Sequence, residues 1–465
     1  MMKMNKLKLL LLAVVSSVLI TAGCSGGNDN NSLFNAFGKD SSVSSDISVS
    51  GSSGDPSAAS SQPSENLSSV EQSSQEPSQE PSQEPSQESS QEPSQESSGE
   101  ESSEPEESGT PFPKAGEIYK TEYKHFYPKL TELEKEDFKA LYVSAQGFGE
   151  RAVFPAPISS DELERLMWLL NYDCPELIHL KGDYSPSYND DGMVVSVGFF
   201  YNMESSEYED CFSAIADYFD QLRAETADMD EQTKELYVFR RLFSETVFTE
   251  TTERAGSVYG VLIEHGGRCE GMSKSFAWCM NEIGIECMTV AGHPYWDSDN
   301  LYASHSWNIV RIDGDYYHVD LAADNVKYYP EDTPLPLYSF FNANDRWMLS
   351  TRNIYNYFTD LGVPDCTADR LNYHVKNDCL ITSQDDPEKK FKEIIVRSYN
   401  DGTENAVSIR FEDKDDYDDF FSQRDGWLED VRTAYGYKFT SNYYSNDVGL
   451  TVIIQIFPDW EQNTD

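Results

Sequence analysis

Residues 266–292 read GGRCEGMSKSFAWCMNEIGIECMTVAG, and residues 304–324, which follow after a gap of eleven residues, read SHSWNIVRIDGDYYHVDLAAD. In the first segment two glycines mark a turn. From Cys269 onward, apolar residues recur every three or four positions on one face, as Met272, Phe276, Met280 and Ile283. That spacing predicts a helix, and Gly284 is well placed to end it. Cys269 is therefore expected in the first turn of a helix.

A cysteine at that position has the surroundings of a reactive thiol. The partial positive charge of a helix N-terminus stabilises a thiolate, and the backbone N–H groups of the first turn point to where an oxyanion would form. Cys279 and Cys287 lack this placement and are expected to be buried, unreactive thiols. On its own, a cysteine at a helix start is only a weak sign of catalysis.

The second segment predicts a β-hairpin. Residues 306–312 and 316–321 have the composition of strands, and Asp313-Gly314 between them is a strong signal for a two-residue turn. If these two residues form the turn, Ile312 pairs with Asp315.

This register brings a histidine and an aspartate together. It places Trp307 opposite Asp320, so His305 and Asp320 project from one face as diagonal neighbours, with Cα atoms about 7–8 Å apart. A carboxylate at that position would hold an imidazole in one tautomer and one orientation. A loop one residue longer would put the two side chains on opposite faces. His318 shares the face of Asp320, and the spacing alone does not choose between the two histidines.

The rest of the folded sequence predicts helices and strands without recognisable chemistry. Helical spacing covers residues 130–145, 160–170 and 207–224, another helix begins near Asp230, and residues 193–201 read as a buried strand. Towards the C-terminus, strands at 393–399 and 406–411 across Asp401-Gly402, a helix at 415–435, and strands at 438–444 and 448–457 give a ββαββ pattern. The sequence has no metal-ligand spacing, phosphate-binding glycine loop or serine nucleophile motif, so no metal or other cofactor is expected.

The first residues predict export and a lipid anchor. Three lysines precede a short apolar run over residues 9–20, and small residues follow, as is typical of a secretory signal. Residues 20–24 resemble the lipobox of bacterial lipoproteins, in which the cysteine, here Cys24, becomes the lipidated N-terminus. Thr21 stands where that motif usually has leucine. The alternative is an ordinary signal peptide with an accidental cysteine.

Residues 25–112 predict a disordered tether. Ser-Gln-Glu-Pro repeats run from residue 74 to 94, and residues 55–108 hold fourteen acidic residues and no basic ones. Low hydrophobicity and charge of one sign keep such a segment unfolded and extended, at up to about 3.1 Å per residue. The net charge of the whole chain, −47, argues against binding nucleic acid or anionic lipid by charge.

Four motifs in this order resemble the bacterial transglutaminase-like core. They are YGVL at 259–262, GRCEG at 267–271, HSWN at 305–308 and YHVD at 317–320, and the resemblance covers roughly residues 235 to 330. In that family the cysteine, the histidine before Trp-Asn and the aspartate after Tyr-x-Val form a papain-like triad. The resemblance implies Cys269 as the nucleophile, His305 as the acid and base, and Asp320 as the residue that orients the imidazole. It favours His305 over His318.

The resemblance also suggests two further residues and shows two departures. Tyr259 could supply an oxyanion donor or be a core tyrosine, and Trp307 is a candidate oxyanion or pocket residue. The family usually has Gly-Tyr-Ala after the cysteine, where this chain has GMS at 271–273. Pro-Thr-Trp is common after the aspartate, where this chain has LAA at 321–323. The substrate groove is therefore expected to differ from the usual one.

The expected fold class is α+β. It comprises a papain-like transglutaminase core, in which the helix that carries the cysteine packs on an antiparallel sheet, an α/β N-terminal region, and a small ββαββ C-terminal domain. The expected divisions are a lipoprotein signal peptide (1–24), the tether (25–112), the N-terminal region (113–234), the core (235–365) and the accessory domain (380–459). The sequence does not decide whether Cys366 and Cys379 form a disulfide.

The expected function is cysteine acyl transfer at the bacterial cell surface, outside the cytoplasm and lipid-anchored to the membrane. The substrates would be carboxamide or peptide bonds of surface proteins or cell-wall peptides, attacked through a thioester, with no nucleic acid involved. One alternative is hydrolytic use of the same site, as a protease or amidase. Another is a surface-binding lipoprotein without catalysis.

Overall fold

The computed structural model describes residues 112–297, 300, 303–324, 336–402 and 406–458. The predicted signal peptide, Cys24 and residues 25–111 of the predicted tether lie outside this part of the chain. Within the described residues, no helix is both long enough and apolar enough to cross a membrane. The described chain mixes helices and strands throughout, so the predicted α+β class is confirmed.

The N-terminal region holds a three-stranded antiparallel sheet with helices packed on it. Helix α1 (Glu132–Gln146) and α2 (Ser160–Asp173) begin at Thr131 and Ser159, whose side chains accept hydrogen bonds from first-turn N–H groups. The strands are β1 (Arg151–Ile158), β2 (Leu180–Tyr188) and β3 (Val194–Tyr201), with β3 in the centre. Two more helices, α3 (Tyr208–Thr226) and α4 (Glu231–Glu245), follow. The helices and the buried strand predicted here are confirmed, with ends shifted by a few residues.

The core is a four-stranded antiparallel sheet with the order β6-β7-β8-β9. Its strands are β6 (Cys287–Gly292), β7 (His305–Ile312), β8 (Asp315–Val319) and β9 (Phe341–Ala343). Alternate residues of β7 enter two apolar clusters: Trp307 and Ile309 pack with the N-terminal region, whereas Val310 and Ile312 pack with the core helices. Both faces of the sheet are therefore covered. This explains why β6 and β7 are buried almost continuously instead of at every second residue.

The cysteine of the GRCEG motif opens helix α6 (Cys269–Glu282), which packs against β7. Gly284 follows this helix in a left-handed conformation, with φ of +84°, and stops it as predicted. Before α6 come β4 (Val247–Phe248), α5 (Val258–Leu262) and β5 (Gly266–Gly267). The remaining short elements are α7 (Leu321–Asp324), α8 (Asp345–Met348), α9 (Asn356–Thr359), α10 (Tyr373–Lys376) and 3₁₀ turns at Thr121–Tyr123, Tyr127–Lys129 and Tyr295–Asp297.

The C-terminal domain is a four-stranded sheet with the order β10-β11-β13-β12 and two long helices. Its elements in chain order are β10 (Leu380–Ile381), α11 (Pro387–Asp401), β11 (Ala406–Phe411), α12 (Lys414–Tyr435), β12 (Phe439–Asn446) and β13 (Thr451–Pro458). The predicted strand over residues 393–399 is wrong, because these residues lie in α11. The other three strands and the helix of the ββαββ pattern are present.

Local signals explain this difference. The side chain of Asp386 accepts the N–H of Lys389, and Pro387 occupies the first turn of α11. Phe391, Ile394 and Ile395 are its buried residues, and their spacing of three and four is that of one helix face. Gly402, with φ of +61°, is the C-terminal cap of this helix and not part of a hairpin turn.

All seven cysteines of the described chain are free thiols. Cys366 and Cys379 belong to different apolar clusters, so the disulfide considered from the sequence is not formed in this structure. Cys279 and Cys287 are fully buried, and burial raises the pKa of both thiols well above the ordinary value. Both are therefore structural, unreactive thiols, as predicted.

Candidate active site

Cys269 occupies the first helical position of α6 and is 2% exposed. Arg268, the preceding residue, has an extended backbone, and its side chain makes no capping hydrogen bond to the backbone N–H groups of the first turn. The thiol thus lies at the positive end of a fourteen-residue helix, in surroundings that screen the helix dipole weakly. This placement is the one predicted from the sequence.

Two glycines allow the backbone to approach the start of α6 closely. A Cβ atom at Gly271 would lie 2.3 Å from the carbonyl oxygen of Ala255, and one at Gly260 would lie 2.1 Å from that of Arg254. Neither distance leaves room for a carbon atom. Gly260 therefore lets α5 pack closely against the loop before it, and Gly271 lets that loop pack directly against the helix that carries Cys269.

The hairpin has the predicted register, with Ile312 opposite Asp315. Asp313 and Gly314 have φ of +50° and +89°, and two successive positive values are typical of a type I′ turn. The alternative of a longer loop, which would have moved the histidine and the aspartate to opposite faces, is excluded.

The structure brings the three predicted triad residues together. His305 begins β7 and Asp320 directly follows β8, and Nε2 of His305 lies 2.7 Å from Oδ2 of Asp320. The thiol of Cys269 is also close enough to the imidazole to raise its pKa. Because Nε2 is engaged by the carboxylate, Nδ1 is the ring nitrogen left for the thiol.

Burial and charge set the protonation of this pair. Burial by itself would lower the pKa of His305, but the neighbouring Asp320 carboxylate and the contact with Cys269 raise that pKa to about 9. Burial opposes the charge of Asp320, yet the positive charges of His305 and Arg352 hold the pKa of the carboxyl well below its usual range. At neutral pH the pair is accordingly an imidazolium and a carboxylate.

Arg352 is a site residue that the sequence reasoning missed. Its guanidinium is fully buried and donates through Nη1 to Oδ2 of Asp320, the oxygen that also faces His305. The guanidinium carbon lies 4.7 Å, 5.2 Å and 4.6 Å from the ring centres of Trp296, Trp307 and Phe340. The only available signal was an arginine within an aromatic segment, which does not identify a partner 32 residues away in sequence.

The second oxygen of Asp320 is also engaged. Its Oδ1 accepts the backbone N–H of Ala323 at 3.0 Å, so the carboxylate caps the short helix α7 that follows it. Both carboxylate oxygens are therefore fixed by the protein, and the orientation of Asp320 depends on the position of α7.

The alternative histidine, His318, has a structural environment. Its Nδ1 accepts the indole N–H of Trp307 at 3.1 Å, and its Nε2 lies 2.9 Å from Oδ1 of Asp345. Burial lowers its pKa, so the imidazole is neutral. The structure therefore separates the two histidines as the family resemblance implied. The indole N–H is the only hydrogen-bond donor of the Trp307 side chain. It donates to His318, away from Cys269.

Tyr259 lies in α5, where burial and the neighbouring thiol of Cys211 in α3 raise its pKa. The guanidinium carbon of Arg254 lies 5.3 Å from the centre of its ring. The structure gives this tyrosine the surroundings of a packing residue. Backbone N–H groups at the start of α6 are the oxyanion donors that the arrangement offers.

Within the described residues, one group of side chains has the composition of a metal site: His318, Asp345 and Cys366. The hydrogen bonds oppose that use. A metal on Nε2 of His318 would require the proton on Nδ1, but Nδ1 faces the indole N–H of Trp307, which can only donate. The tautomer fixed by Trp307 places the proton on Nε2, towards Asp345.

The N-terminal region also reaches the site. The side chain of Asn171 in α2 bonds Oε1 of Glu270 at 2.8 Å and Nζ of Lys274 at 3.0 Å, directly beneath the first turn of α6. Arg268 bonds the other oxygen of Glu270 at 2.6 Å. The neighbouring Tyr172 is buried close enough to Glu270 and Cys269 for their charges to raise its pKa further than burial alone does. Sequence reasoning did not anticipate this role for residues so far upstream.

The fold and the site together define a class: an α+β core in which a helix start, a strand and the end of a hairpin assemble a cysteine, a histidine and an aspartate, as in cysteine enzymes of papain-like architecture. The family model described as the transglutaminase-like superfamily matches residues 217–321. This part of the chain belongs to the transglutaminase-like superfamily.

Solved structures show limited similarity to this chain. One is the crystal structure of a TGase, with 15% identity and a TM-score of 0.21, covering 40% of this chain and 52% of that one. Another is the periplasmic domain of TgpA from Pseudomonas aeruginosa with bound ethylmercury, with 14% identity and a TM-score of 0.20, covering 31% and 66%. The chain spans about half the length of the first of these structures. No curated protein sequence matches the chain.

Proposed function

We propose that this protein is a cysteine acyl-transfer enzyme that attacks carboxamide or peptide carbonyls and proceeds through a thioester on Cys269. The observation that carries the proposal is the contact of 2.7 Å between His305 and the buried carboxylate of Asp320, with the thiol of Cys269 near the same imidazole. A thiol, a base and an orienting carboxylate in this relation are the parts that nucleophilic acyl transfer needs.

In the first half-reaction the Cys269 thiolate forms a C–S bond with the carbonyl carbon, and the carbonyl oxygen becomes an oxyanion near the N–H groups at the start of α6. Collapse of this intermediate breaks the C–N bond. The imidazolium of His305 gives its proton to the leaving nitrogen, which departs as an amine or as ammonia. Asp320 keeps the imidazole in the orientation that this transfer requires.

In the second half-reaction an amine or a water molecule attacks the thioester carbonyl and gives its proton to His305. The C–S bond breaks, and Cys269 is released as a thiolate beside the restored imidazolium. An attacking amine gives an isopeptide bond or a transferred group. Attacking water gives hydrolysis, as in a protease or an amidase.

The proposed location is outside the cytoplasm, where Cys24 would carry a lipid and residues 25–112 would hold the folded part away from the membrane. The support for this location is the N-terminal sequence pattern. Surface proteins and cell-wall peptides are the substrates within reach of a tethered enzyme.

Covalent labelling with a thiol-reactive glutamine or peptide analogue tests the nucleophile. We expect the wild-type protein to be labelled and Cys269→Ala to remain unlabelled. Cys279→Ala is the matched control, because Cys279 lies in the same helix but is buried and unreactive, and labelling of this variant should equal that of wild type. Undiminished labelling of Cys269→Ala would overturn the proposal.

Mass spectrometry of cell-wall peptides and surface proteins, with and without the enzyme, separates the two outcomes of the thioester. New isopeptide bonds indicate transfer, and new chain ends indicate hydrolysis. Neither change, together with retention of the protein on surface peptides or glycans, would favour the non-catalytic, surface-binding alternative.

A further inference from the structure

The short helix α7 links the carboxylate of Asp320 to a second part of the chain. Its Ala323 N–H is bonded to Oδ1 of Asp320, and Asp324 at its end accepts the N–H of Ser339 at 3.1 Å through Oδ1. Ala323 and Asp324 are almost completely buried, and Ser339 is fully buried. The position of α7 therefore depends on what holds Ser339 and the carbonyl groups of the helix.

Three buried side chains of the C-terminal domain contact these groups. Asn446, at the end of β12, donates through Nδ2 to the carbonyl oxygen of Ala323 at 3.3 Å. The hydroxyl of Thr451, at the start of β13, lies 2.6 Å from that of Ser339. Arg410 of β11 donates to the carbonyl oxygen of Ser339. Asn446 and Thr451 are fully buried, and Arg410 is nearly so.

The backbones also meet closely at this point. A Cβ atom at Gly449, between β12 and β13, would lie 2.6 Å from the Cβ atom of Ser339. The side chain of Asn446 accepts the N–H of Gly449 at 2.9 Å through Oδ1 while its Nδ2 contacts Ala323. One side chain thus fixes the β12–β13 turn and attaches that turn to α7. Close, buried contacts of this kind are typical of firmly packed regions and not of a loosely docked spacer domain.

We propose that the C-terminal domain is part of the catalytic apparatus, with Asn446 and Thr451 as positioning residues that hold α7 and Ser339 and thereby hold Asp320 against His305. This inference rests on the proposed function of the triad. A buried hydrogen bond that loses one partner leaves the other unsatisfied, so α7 would shift to find a substitute. The N–H of Ala323 would move with it, and Asp320 would lose its fixed orientation.

The first test is Asn446→Asp in the full chain. Aspartate keeps the Oδ1 acceptor for the N–H of Gly449. It replaces the Nδ2 donor, which faces the carbonyl oxygen of Ala323, with a second oxygen acceptor. The readouts are the titration of the His305 imidazole, followed by NMR and assigned with His305→Gln, and the rate at which iodoacetamide alkylates Cys269 at pH 7. We expect the titration midpoint to fall by about one pH unit and the alkylation rate to fall by about tenfold, as the loss of one buried hydrogen bond predicts.

The titration distinguishes positioning from general stability. The charged groups that act on His305 are Asp320, which Arg352 pairs, and Cys269, and none of them belongs to the C-terminal domain. The carboxylate that Asn446→Asp introduces would by its charge raise the His305 midpoint, so a fall in the midpoint reports the loss of positioning. A domain that only adds stability would lower the melting temperature on substitution without moving the His305 midpoint in the folded protein.

If Asn446→Asp does not fold, two substitutions of Thr451 provide the test instead. Thr451→Val removes the hydroxyl that contacts Ser339 and should lower the His305 midpoint, whereas Thr451→Ser retains it and should restore the wild-type value. Arg346→Ala is the control for docking in general, because it removes an exposed arginine whose ion pair of 2.8 Å with Glu412 joins the same two parts and leaves Asn446 and Thr451 in place. We expect no change in the midpoint for this variant.

The two proposals fail in different ways. If Cys269 is the labelled residue in wild type, but Asn446→Asp and Thr451→Val leave the His305 midpoint and the alkylation rate unchanged, the positioning role is overturned and the proposed function stands. If wild-type Cys269 is not labelled, the proposed function fails, and the His305 titration still decides whether the C-terminal domain positions Asp320.

Discussion

Asp320→Asn isolates the electrostatic contribution of the carboxylate, because asparagine keeps the shape of the side chain and removes its charge. In the wild-type protein the carboxylate of Asp320 faces Nε2 of His305 at 2.7 Å and opposes the effect of burial on the imidazole. Without that charge, burial becomes the largest effect on His305, and burial favours the neutral ring. We therefore expect the pKa of His305 to fall from about 9 to below its ordinary value of 6.5.

The size of this change follows from the two pKa values. A fall from about 9 to 6.5 or below corresponds to at least about 3 kcal/mol of lost interaction between the imidazolium and its surroundings. At pH 7.5 the wild-type ring would be almost entirely protonated, whereas the variant ring would be almost entirely neutral. The variant would therefore lack the imidazolium that donates the proton to the leaving nitrogen.

The assay is NMR titration of the imidazole signals between pH 5 and pH 10, since the chain has only seven histidines. His305→Gln identifies the His305 signal. The His318 signal, identified with His318→Gln, is the control, because burial keeps that ring neutral and its signal should not respond to Asp320→Asn. A His305 midpoint that stays near 9 in Asp320→Asn would refute the assignment of Asp320 as its charge partner.

Four further substitutions, one of them a control, test the packing and the buried charges of the protein. Arg352→Met should lower the free energy of unfolding in urea by about 3–5 kcal/mol, because it removes one of the two cations that pair with the buried Asp320 carboxylate. A loss below about 1 kcal/mol would contradict a tight pair. Gly271→Ala should lower the free energy of unfolding by about 1–3 kcal/mol, because the added Cβ atom would clash with a carbonyl oxygen. The control Gly426→Ala, in an open position of α12, should raise it by about 0.5–1 kcal/mol. Equal thermal midpoints for the two variants would contradict the close packing at Gly271. Burial raises the pKa of Glu235 from 4.5 to about 8, so the folded chain keeps a proton that the unfolded chain releases, and stability falls as the pH rises from 4.5 to 8. Glu235→Gln should remove this share of the decline, on the order of a few kcal/mol, and raise the urea midpoint at pH 8 but not at pH 4.

Local sequence signals were enough to predict an element wherever its apolar spacing and its turn or capping residues lie in the same segment. The start of α6 at Cys269, its end before Gly284 and the register around Asp313-Gly314 could be predicted because turn residues and apolar spacing agree. The strand predicted at 393–399 failed because an apolar run of three residues outweighed a complete set of helix signals on either side of it. A single segment can satisfy both patterns, and the caps then decide.

The site could be predicted only as far as its motifs extend. The triad follows from the hairpin register and the family resemblance, but Arg352, Asn171 and Asn446 reach the site from parts of the chain with no fixed spacing to it. Such contacts depend on how whole regions pack, and sequence periodicity carries no information about that. The side-chain donors suggested for the oxyanion were likewise undetermined by sequence, since a buried tyrosine or tryptophan takes whichever partner the packing offers.

The groups around the thiol form a line of alternating charge, which explains why an arginine outside the motifs belongs to the site. Arg352 is positive, Asp320 negative and His305 positive, and a thiolate on Cys269 would complete the line. Each charge is buried, and an unpaired charge in such surroundings is costly. Without Arg352, the His305–Asp320 pair would already be neutral, and a thiolate would add an uncompensated negative charge. With Arg352 present, the thiolate makes the set neutral, so the arginine favours the ionised form of the nucleophile through two intervening residues and without touching the substrate.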